Sequence, residues 1–326
     1  MTQAADDVRP RPARLRVARA EPAREEPDGP RLRTWHAVVA ASMAVDAPGT
    51  APAPPGRFHA HLTAGATAVW TATRAEQVVG LAVLHLPSTT ATGRAHVHVH
   101  PAHRRRGTGT RLLTTLTAEA RRRGLRRVIA AVPAGGTGDA FCLRRGLTRL
   151  RTLHHLLLSL RDVHPGWLDE MVAVEHPGYR LTKTARIAPP GREDAVPGDV
   201  LLTVAAEHGR RVVGCTEVVV PGGGGARATQ HDRPPADDHH GLGLDLWVKA
   251  SMLRLLYDDY PQVTQVATDT AGNDAALLAV NRHLGFRLHH RTNEYRLDVD
   301  ALENDGTAGV EIRATTAHGD ITARGL

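Results

Sequence analysis

Residues 98–113, with the sequence HVHPAHRRRGTGTRLL, constrain the fold of this chain most, because they join the signals of a strand, a glycine turn and a helix. Valine and histidine alternate up to Pro101, as the two faces of a strand do, and leucines then recur at helical spacing. Gly107 and Gly109 let backbone N–H groups converge on an anion, and the N-terminus of a helix adds partial positive charge. The stretch therefore predicts a phosphate-binding turn, to which Arg104–Arg106 add formal charge.

The length of 326 residues is comfortable for two domains of about 150 residues each, and a hydrophobic fraction of 41% is enough to bury their cores. No apolar run approaches the roughly 20 residues that span a bilayer, and the stretch Met1–Pro30 is polar and has no apolar region typical of a signal peptide. We therefore expect a soluble, cytoplasmic protein. The two cysteines, Cys142 and Cys215, fall in different halves of the chain, which favours reduced thiols over a disulfide.

A net charge of +7 would suit a polyanionic partner, such as nucleic acid or a nucleotide cofactor. Lysine occurs only at Lys183 and Lys249, so almost all of the 41 basic residues are arginine, a bias that codon usage explains as well as function does. Aromatic residues make up 3% of the chain, too few for the stacking surfaces of nucleic-acid-binding proteins. We expect neither nucleic acid nor a membrane as a partner.

Hydrophobic periodicity and turn residues predict an alternation of strands and helices in the first half of the chain. After a disordered N-terminus at 1–12, the predicted elements are a strand at 13–18, a helix at 31–45, a loop at 46–57, a hairpin of strands at 66–73 and 77–86, the strand and turn described above, a helix at 109–123, a strand at 127–132, a short helix at 139–145 and closing strands at 147–160. A linker is predicted at 161–178.

The same order of elements returns about 140 residues later, which indicates an internal repeat. The predicted elements of this second copy are strands at 200–207 and 211–220, a turn at 239–245, a helix through 249–256, a strand at 263–268 and a helix at 273–284. The remainder, 299–326, is poor in apolar residues and is predicted to be a loose tail with a short strand at 310–314.

Two short motifs in the first copy resemble the GNAT family of acetyl-CoA-dependent N-acyltransferases. They are the turn Arg104-x-x-Gly107-x-Gly109 and the run Phe141-Cys142-Leu143-Arg144-Arg145-Gly146-Leu147, at the place where the family usually carries Phe-Tyr-x-x-x-Gly-Phe. With the second copy, which ends in Leu284-Gly285-Phe286, the chain resembles the tandem GNAT proteins typical of actinobacteria. The resemblance implies an α/β protein with mixed sheets, in which two tandem GNAT folds lie at 13–160 and 179–298 and the second is degenerate.

The resemblance also implies a site for acetyl-CoA in the first domain. In the family, the strand before the turn separates from its neighbour and pairs with the pantetheine arm, a role that falls here on Val97, His98 and Val99. A backbone N–H of that strand, assigned to Val99, would stabilise the oxyanion that forms when an amine attacks the thioester. The pyrophosphate would be held by the turn residues Arg104, Arg105, Arg106, Gly107, Thr108, Gly109 and Thr110.

Direct transfer in a ternary complex needs a base for the ammonium group of the acceptor and an acid for the departing thiolate. His98, which alternates with His96 and His100, is the candidate base, and the alternative is that these side chains only line one face of the sheet. Cys142 stands where the family has an acidic tyrosine, so it is the candidate acid, and the alternative is a small buried side chain on a helix. The acceptor would be an amine of a small molecule, a protein N-terminus or a lysine.

The turn of the second copy departs from the family pattern. It reads His240-x-x-Gly243-x-Asp245, so a carboxylate would stand near the pyrophosphate, where its like charge opposes binding. Arg233-Pro234-Pro235 falls in the strand that should precede the turn, and prolines remove donors from a strand ladder. The segment 178–200 also leaves little room for the two helices that normally form the acceptor side of a GNAT site. The second copy is therefore predicted to have lost the cofactor and to serve as a structural or interaction half.

Other interpretations stay open at this point. A non-catalytic GNAT-fold protein, either an acyl-CoA sensor or an interaction scaffold, would explain the missing tyrosine and the altered second turn, whereas the intact first turn opposes it. A metal site at the alternating histidines or at 231–240 is disfavoured, because no spacing resembles that of a closed zinc site. The sequence is compatible with a monomer or a homodimer.

Overall fold

The computed structural model describes residues 14–86, 90–189, 192, 194–233, 235, 237–300, 313–316 and 319–322. Twelve strands form one mixed sheet, and a separate hairpin joins Arg313–Thr316 to Gly319–Thr322. The sheet strands are β1 (Arg16–Ala20), β2 (Ala66–Arg74), β3 (Gln77–Leu86), β4 (Thr92–Val99), β5 (Arg127–Pro133), β6 (Thr148–Ser159), β7 (Tyr179–Ile187), β8 (Val200–His208), β9 (Arg211–Val220), β10 (Arg227–Arg233), β11 (Gln265–Ala271) and β12 (Arg287–Asp298). The α-helices are α1 (Pro30–Asp46), α2 (Pro55–Thr63), α3 (Thr108–Arg122), α4 (Thr137–Arg144), α5 (Pro165–Val172), α6 (Leu244–Asp259) and α7 (Ala275–His283).

The last strand of each half pairs with strands of the other half. The order across the sheet is β1-β2-β3-β4-β5-β12-β6-β11-β10-β9-β8-β7, so β12 lies between β5 and β6, and β6 lies between β12 and β11. The sequence predicts closing strands at 147–160, but the structure has the single strand β6 there, because β12 supplies the neighbour of β5. The two halves therefore share one continuous sheet, with β1 and β7 as its edges.

Hydrophobic cores lie on both faces of this sheet. In the first half, α3 buries Leu112 and Leu116 against one face, while α1 and α2 bury Leu32 and Leu62 against the other. In the second half, α5 and α6 bury a large cluster that includes Leu168. Burial of this apolar surface is the main stabilising contribution to each half.

Each core contains side chains from the exchanged strand of the other half. Tyr295 and Leu297 of β12 lie in the core under α3. Leu156 and Leu158 of β6 lie in the core under α6. The strand exchange therefore joins the two hydrophobic cores as well as the sheet.

Most of the predicted helices and strands are confirmed within a few residues, including both hairpins, β2 with β3 and β8 with β9. The predicted loop at 46–57 is wrong at its end, since α2 begins at Pro55. A proline is favourable at the first position of a helix, because its fixed φ suits the helix and its missing N–H would have no acceptor there. β10 ends at Arg233, directly before the two prolines of the sequence.

The other predictions concern the connection between β7 and β8, the linker between the two repeats and the ends of the chain. The described residues between β7 and β8, which are 188–189, 192 and 194–199, form no helix. The predicted linker at 161–178 contains α5. The N-terminus at 1–12 and most of the tail at 299–326 lie outside the described residues. Within the described ranges, no helix is long and apolar enough to cross a membrane.

Candidate functional site

β4 and β5 run parallel and then part, which opens a cleft at the end of β4. Their register pairs run from Thr92 with Arg127 to Ala95 with Ala130 and stop there, although both strands continue. The cleft therefore lies between 96–99 of β4 and 131–133 of β5. It exposes the edge of β4 in the middle of the sheet, where an extended ligand can add to the strand.

Alternate residues of β4 turn their peptide groups into this cleft. The N–H of His100 donates to the carbonyl of Val79 at 2.9 Å, on the β3 side. Because peptide groups alternate along a strand, the N–H of His98 also faces β3, and the N–H groups of Val97 and Val99 face the cleft. The backbone of His98 is thus directed away from the cleft, which differs from the sequence prediction for this residue.

The turn between β4 and α3 presents free backbone donors beside the cleft. Gly107 begins this helix in a left-handed conformation, with φ 79°. The N–H of Arg111 donates to the carbonyl of Gly107 at 3.0 Å, so the N–H groups of Thr108, Gly109 and Thr110 precede the first bond within the helix. These groups and the positive end of the helix dipole make the turn suitable for a phosphate.

The side chain of Arg104, the first residue of the glycine motif, lies in a closed network of hydrogen bonds. Its Nε donates to the carbonyl of Val99 at 3.0 Å. Its Nη1 donates to Asp46 Oδ1 at 2.8 Å and to Thr137 Oγ1 at 3.1 Å. Its Nη2 donates to Asp46 Oδ2 at 2.6 Å and to Ser42 Oγ at 3.1 Å. All five N–H donors of the guanidinium have an acceptor, which departs from the prediction that the charge of Arg104 serves a phosphate.

The next two arginines of the motif are exposed beside the turn, as expected for residues that meet an anion. Arg105 adopts φ 60°, a left-handed conformation that is uncommon for a residue with a side chain. Arg106 follows it directly before the glycine, and both side chains are exposed. A third cation lies close by, since Arg145 Nη2 donates to Thr110 Oγ1 at 2.5 Å. The open turn is therefore surrounded by positive charge.

The side chains of His96 and His98 lie on the sheet face that α1 and α2 cover. Their register partners on β3 are Val83 and Leu81, which belong to the core under those helices. Desolvation lowers the pKa of His98 to about 4, so its imidazole is neutral at pH 7. Desolvation, followed by the nearby His85, lowers the pKa of His96 as well, although solvent reaches part of its side chain.

The third alternating histidine has a local structural contact instead. His100 Nδ1 accepts a hydrogen bond of 3.3 Å from the N–H of Ala102 in the turn after β4. Within the described part of the chain, no group of three or more His, Cys, Asp and Glu side chains is arranged to hold a metal ion.

Cys142 is the buried residue of α4 and lies in the same cluster as Tyr295. Desolvation, followed by the charge of Asp139, raises the pKa of its thiol to about 11. The thiol therefore keeps its proton at pH 7, which is the state of a proton donor and not that of a nucleophile.

Residues of both halves hold α4 and α2 around the cleft. Asp139, in the first turn of α4, accepts hydrogen bonds from Tyr295 Oη at 2.6 Å and from Asn293 Nδ2 at 2.8 Å, both on β12. Arg57 of α2 donates to the two carboxylate oxygens of Asp199 at 3.0 and 2.9 Å. Sequence reasoning missed these contacts, because residues as far apart in the chain as Asp139 and Tyr295 share no local pattern.

A second cleft opens between β10 and β11, where the last register pair is Gln230 with Thr268. A buried ion pair lies beside it, since Lys249 Nζ donates to Asp232 Oδ2 at 2.6 Å and Lys249 is 1% exposed. Thr216 Oγ1 donates to the other oxygen of Asp232 at 2.8 Å. Desolvation lowers the pKa of Lys249 and Asp232 opposes this shift, so the charged pair depends on the contact between the two residues.

If the register of β10 with β9 is continued by one residue, the position that corresponds to Val99 falls on a proline of the sequence. Gly80, the fourth residue of β3, pairs with Val99. Gly214 is likewise the fourth residue of β9, and β10 ends at Arg233, opposite the residue after Gly214. The next residue in the sequence is Pro234, which carries no N–H.

The turn of the second half also differs from the first. Gly243 begins α6 in a left-handed conformation with φ 71°, as Gly107 begins α3. The carboxylate of Asp245, however, accepts a hydrogen bond of 3.0 Å from the N–H of Leu246, near the N-terminus of the helix. A negative charge therefore lies where an anion would meet the helix dipole.

Comparison with known proteins agrees with this geometry. The model of the acetyltransferase (GNAT) family matches residues 37–146, which contain β4, the glycine turn, α3 and α4. The chain is similar to the solved structure of a tandem GNAT protein from the clavulanic acid biosynthesis pathway, with a TM-score of 0.70 and 22% identity over 88% of this chain and 99% of that chain.

A second similar structure is a GCN5-related N-acetyltransferase from Sphaerobacter thermophilus, with a TM-score of 0.63 and 14% identity over 87% of this chain and 96% of that chain. No curated protein sequence is significantly similar to the chain. The family match covers the open strand and the glycine turn, and the structural likeness covers both halves. Residues 37–146 therefore match the model of the GNAT acetyltransferase family, and the whole chain has the fold of a tandem GNAT protein.

Proposed function

We propose that the protein is an N-acyltransferase that transfers the acetyl group of acetyl-CoA to a primary amine, by direct transfer in a ternary complex. The observation that carries the proposal is the open edge of β4 directly before the free N-terminus of α3. Val97 and Val99 would pair with the pantetheine arm, and the N–H groups of residues 108–110 would hold the pyrophosphate. Arg105 and Arg106 would add positive charge around it.

The chemistry at the cleft follows from the polarity of three groups. The N–H of Val99 would stabilise the negative charge that develops on the thioester oxygen when the amine attacks. His98, which is neutral at pH 7, would accept the proton of the acceptor's ammonium group, directly or through water. Cys142, which keeps its proton at pH 7, is the candidate donor to the departing thiolate.

We assign catalysis to the first half alone. The second half has a carboxylate at its turn, a proline after β10 and no helices between β7 and β8 in the described residues. Its contribution would be structural, since β12 supplies the hydrogen bonds that hold α4 at the first cleft. The acceptor would be an amine of a small molecule or of a protein N-terminus or lysine.

Calorimetric titration of the full chain with CoA and with acetyl-CoA tests the proposal directly. We expect one binding site per chain. The release of free CoA thiol, measured with acetyl-CoA and a panel of primary amines, then tests the transfer. The absence of any heat of binding for both ligands would overturn the proposal.

A second candidate function is that of an acyl-CoA sensor that binds the ligand without turnover. The observation that favours it is the buried thiol of Cys142 at the position where a phenol is expected, because a thiol is shorter and less able to reach a bound sulfur. Binding of acetyl-CoA without thiol release on any amine of the panel would support the sensor over the enzyme.

A further inference from the structure

We propose that Arg104 is a positioning residue for acetyl transfer, which holds the Val99 segment of β4 so that its N–H meets the developing oxyanion. The proposal rests on the proposed function of the first cleft. In this proposal, the side chain of Arg104 holds the end of β4 in place. The phosphates would be bound by the backbone of the turn and by the exposed Arg105 and Arg106.

The first step of the argument is the contact between the guanidinium and the strand. Arg104 Nε donates to the carbonyl of Val99 at 3.0 Å. In a strand, the N–H and the carbonyl of one residue point to the same side, so this bond lies on the cleft side of β4. There β5 has already separated and offers no acceptor or donor. Arg104 therefore satisfies the carbonyl of Val99 and leaves its N–H as the free group.

The second step is that the peptide group after Val99 is held from both sides. Its carbonyl accepts from Arg104, and its N–H, which belongs to His100, donates to the carbonyl of Val79 at 2.9 Å. Pro101 follows and ends the strand. The last residues of β4 thus keep their extended conformation without a neighbouring strand on the cleft side.

The third step is that the guanidinium itself is fixed in its plane. Asp46 accepts two parallel hydrogen bonds from Arg104, of 2.8 and 2.6 Å, a geometry that is stronger than a single contact between charges. Ser42 Oγ and Thr137 Oγ1 each accept from the guanidinium and donate to Asp46 at 3.1 Å. The side chains of Arg104 and Asp46 are 16% and 19% exposed, so water competes with these bonds only in part.

The network also explains why this position needs an arginine. A lysine carries the same charge, but its single ammonium group cannot donate two parallel hydrogen bonds to the Asp46 carboxylate and at the same time replace the bond from Arg104 Nε to the Val99 carbonyl. A role in phosphate binding would require the guanidinium to leave Asp46. The positioning role and the phosphate role therefore predict different effects of the same substitution.

The test compares Arg104→Lys, Arg104→Gln and Asp46→Asn with the unsubstituted chain, and uses Arg24→Lys as the matched control at an exposed site, where the side chain is 81% exposed. We expect the Kd for CoA, measured by calorimetry, to stay within about threefold. We expect kcat for acetyl transfer to fall by about 10- to 100-fold with little change in the KM for acetyl-CoA, since the loss is one of oxyanion stabilisation. The double variant Arg104→Gln with Asp46→Asn should lose no more than Arg104→Gln alone, because the two residues act as one unit.

Hydrogen exchange of residues 96–100 gives a second readout that needs no acceptor. These amides should exchange faster in Arg104→Lys than in the unsubstituted chain or in Arg24→Lys, at equal Tm. Weakening of CoA binding by tenfold or more in Arg104→Lys with unchanged kcat would overturn the proposal and assign the side chain to the phosphates. If the unsubstituted chain binds no CoA, the proposed function fails as well. If it binds and turns over and Arg104→Lys keeps its kcat, only the positioning role fails.

Discussion

The phenol of Tyr295 donates a hydrogen bond of 2.6 Å to the carboxylate of Asp139, so that a strand from the second half holds the helix beside the cleft of the first. Desolvation, followed by this bond, raises the pKa of Tyr295 to about 12, and the phenol therefore keeps its proton. The same helix carries Thr137, which accepts a hydrogen bond from Arg104. The exchanged strand β12 thus supports the first cleft through α4, which Tyr295 holds at Asp139 and which contacts Arg104 at Thr137.

Tyr295→Phe removes this hydrogen bond and keeps the aromatic packing. We expect the free energy of unfolding to fall by about 1.5–3 kcal/mol, the usual contribution of a hydrogen bond to a charged group. Urea unfolding measures the change. Tyr257→Phe, at a side chain that is 44% exposed, serves as the control and should stay within about 0.5 kcal/mol. An equal effect of the two substitutions would contradict the role of the contact with Asp139.

Gly107→Glu and Gly243→Glu form a matched pair, because both glycines begin a helix in a left-handed conformation, with φ 79° and 71°. Each substitution places the same strain and the same charge at one of the two turns. We expect Gly107→Glu to abolish CoA binding in calorimetry and Gly243→Glu to leave the Kd unchanged. Loss of binding in the second variant at unchanged Tm would show that the second half holds the ligand.

Lys249→Met leaves the carboxylate of Asp232 buried without its charged partner. We expect a loss of about 3–5 kcal/mol in the free energy of unfolding, because an unpaired buried charge is costly. Leu113 follows Gly107 at the distance at which Lys249 follows Gly243, so the first half has an apolar residue at this position. Combining Lys249→Leu with Asp232→Val should therefore cost less than Lys249→Met alone. A larger loss in the double variant, measured by urea unfolding, would contradict this account.

The pH dependence of kcat/KM tests His98 as the base. Desolvation lowers its pKa to about 4, with Asp46 opposing the shift and Arg104 adding to it. A base must be neutral to accept a proton, so activity should stay constant from pH 7 to about pH 5 and fall below that value. A fall in kcat/KM that is already centred at the ordinary histidine pKa of about 6.5 would contradict this assignment. His98→Gln should remove the acidic fall in kcat/KM together with most of the activity.

Glu119 contributes to stability through its arginine partners at the end of α3. The hydrogen bond from Arg122 lowers its pKa to about 2, although desolvation opposes this shift. A folded-state pKa below the unfolded value of 4.5 means that the stabilisation is present above that pH and is lost as the pH falls towards 2. Since Arg122 is exposed and solvent screens the contact, we expect a contribution of Glu119 of at most about 1 kcal/mol.

Urea unfolding of Glu119→Gln and of the unsubstituted chain at several pH values measures this contribution. The difference between the two proteins should be largest at pH 7 and should shrink between pH 4.5 and pH 2. Glu170→Gln, at an exposed site on α5, is the control and should show no such trend. A difference that is independent of pH would assign the effect to packing instead of charge.

Much of the fold could be predicted because its signals are local. The glycine motif around Gly107, the hairpins and the apolar periodicity of α3 each depend on residues within a short stretch of chain. The start of α2 at Pro55 could not be predicted, because a proline can either end a segment of regular structure or begin a helix. Which of the two occurs depends on the residues against which the following turn packs. Strand exchange could not be predicted, since the sequence patterns of β6 and β12 are equally compatible with neighbouring strands from the same half and from the other half.

The candidate site also has one part that the sequence could predict and one part that it could not. Its backbone part, Val97, Val99 and the turn at Gly107, could be located from the sequence, because a strand, a glycine turn and a helix follow one another without interruption. Its side-chain part could not be predicted, because Asp46 reads only as the last residue of a helix. The carboxylate meets Arg104 across 58 residues of chain, once α1 has packed on the sheet.

The sequence by itself determined which segments of this protein become strands, helices and the glycine turn, and that the pattern occurs twice. The tertiary structure decided which strands are neighbours, that Tyr295 of the second half supports α4 of the first, and that the charge of Arg104 is directed to Asp46 and the Val99 carbonyl. The physical reason is that local conformation depends on the residues nearby in the chain. The hydrogen-bond partners of buried polar groups are instead set by the packing of the whole chain, which brings together residues that are far apart in the sequence.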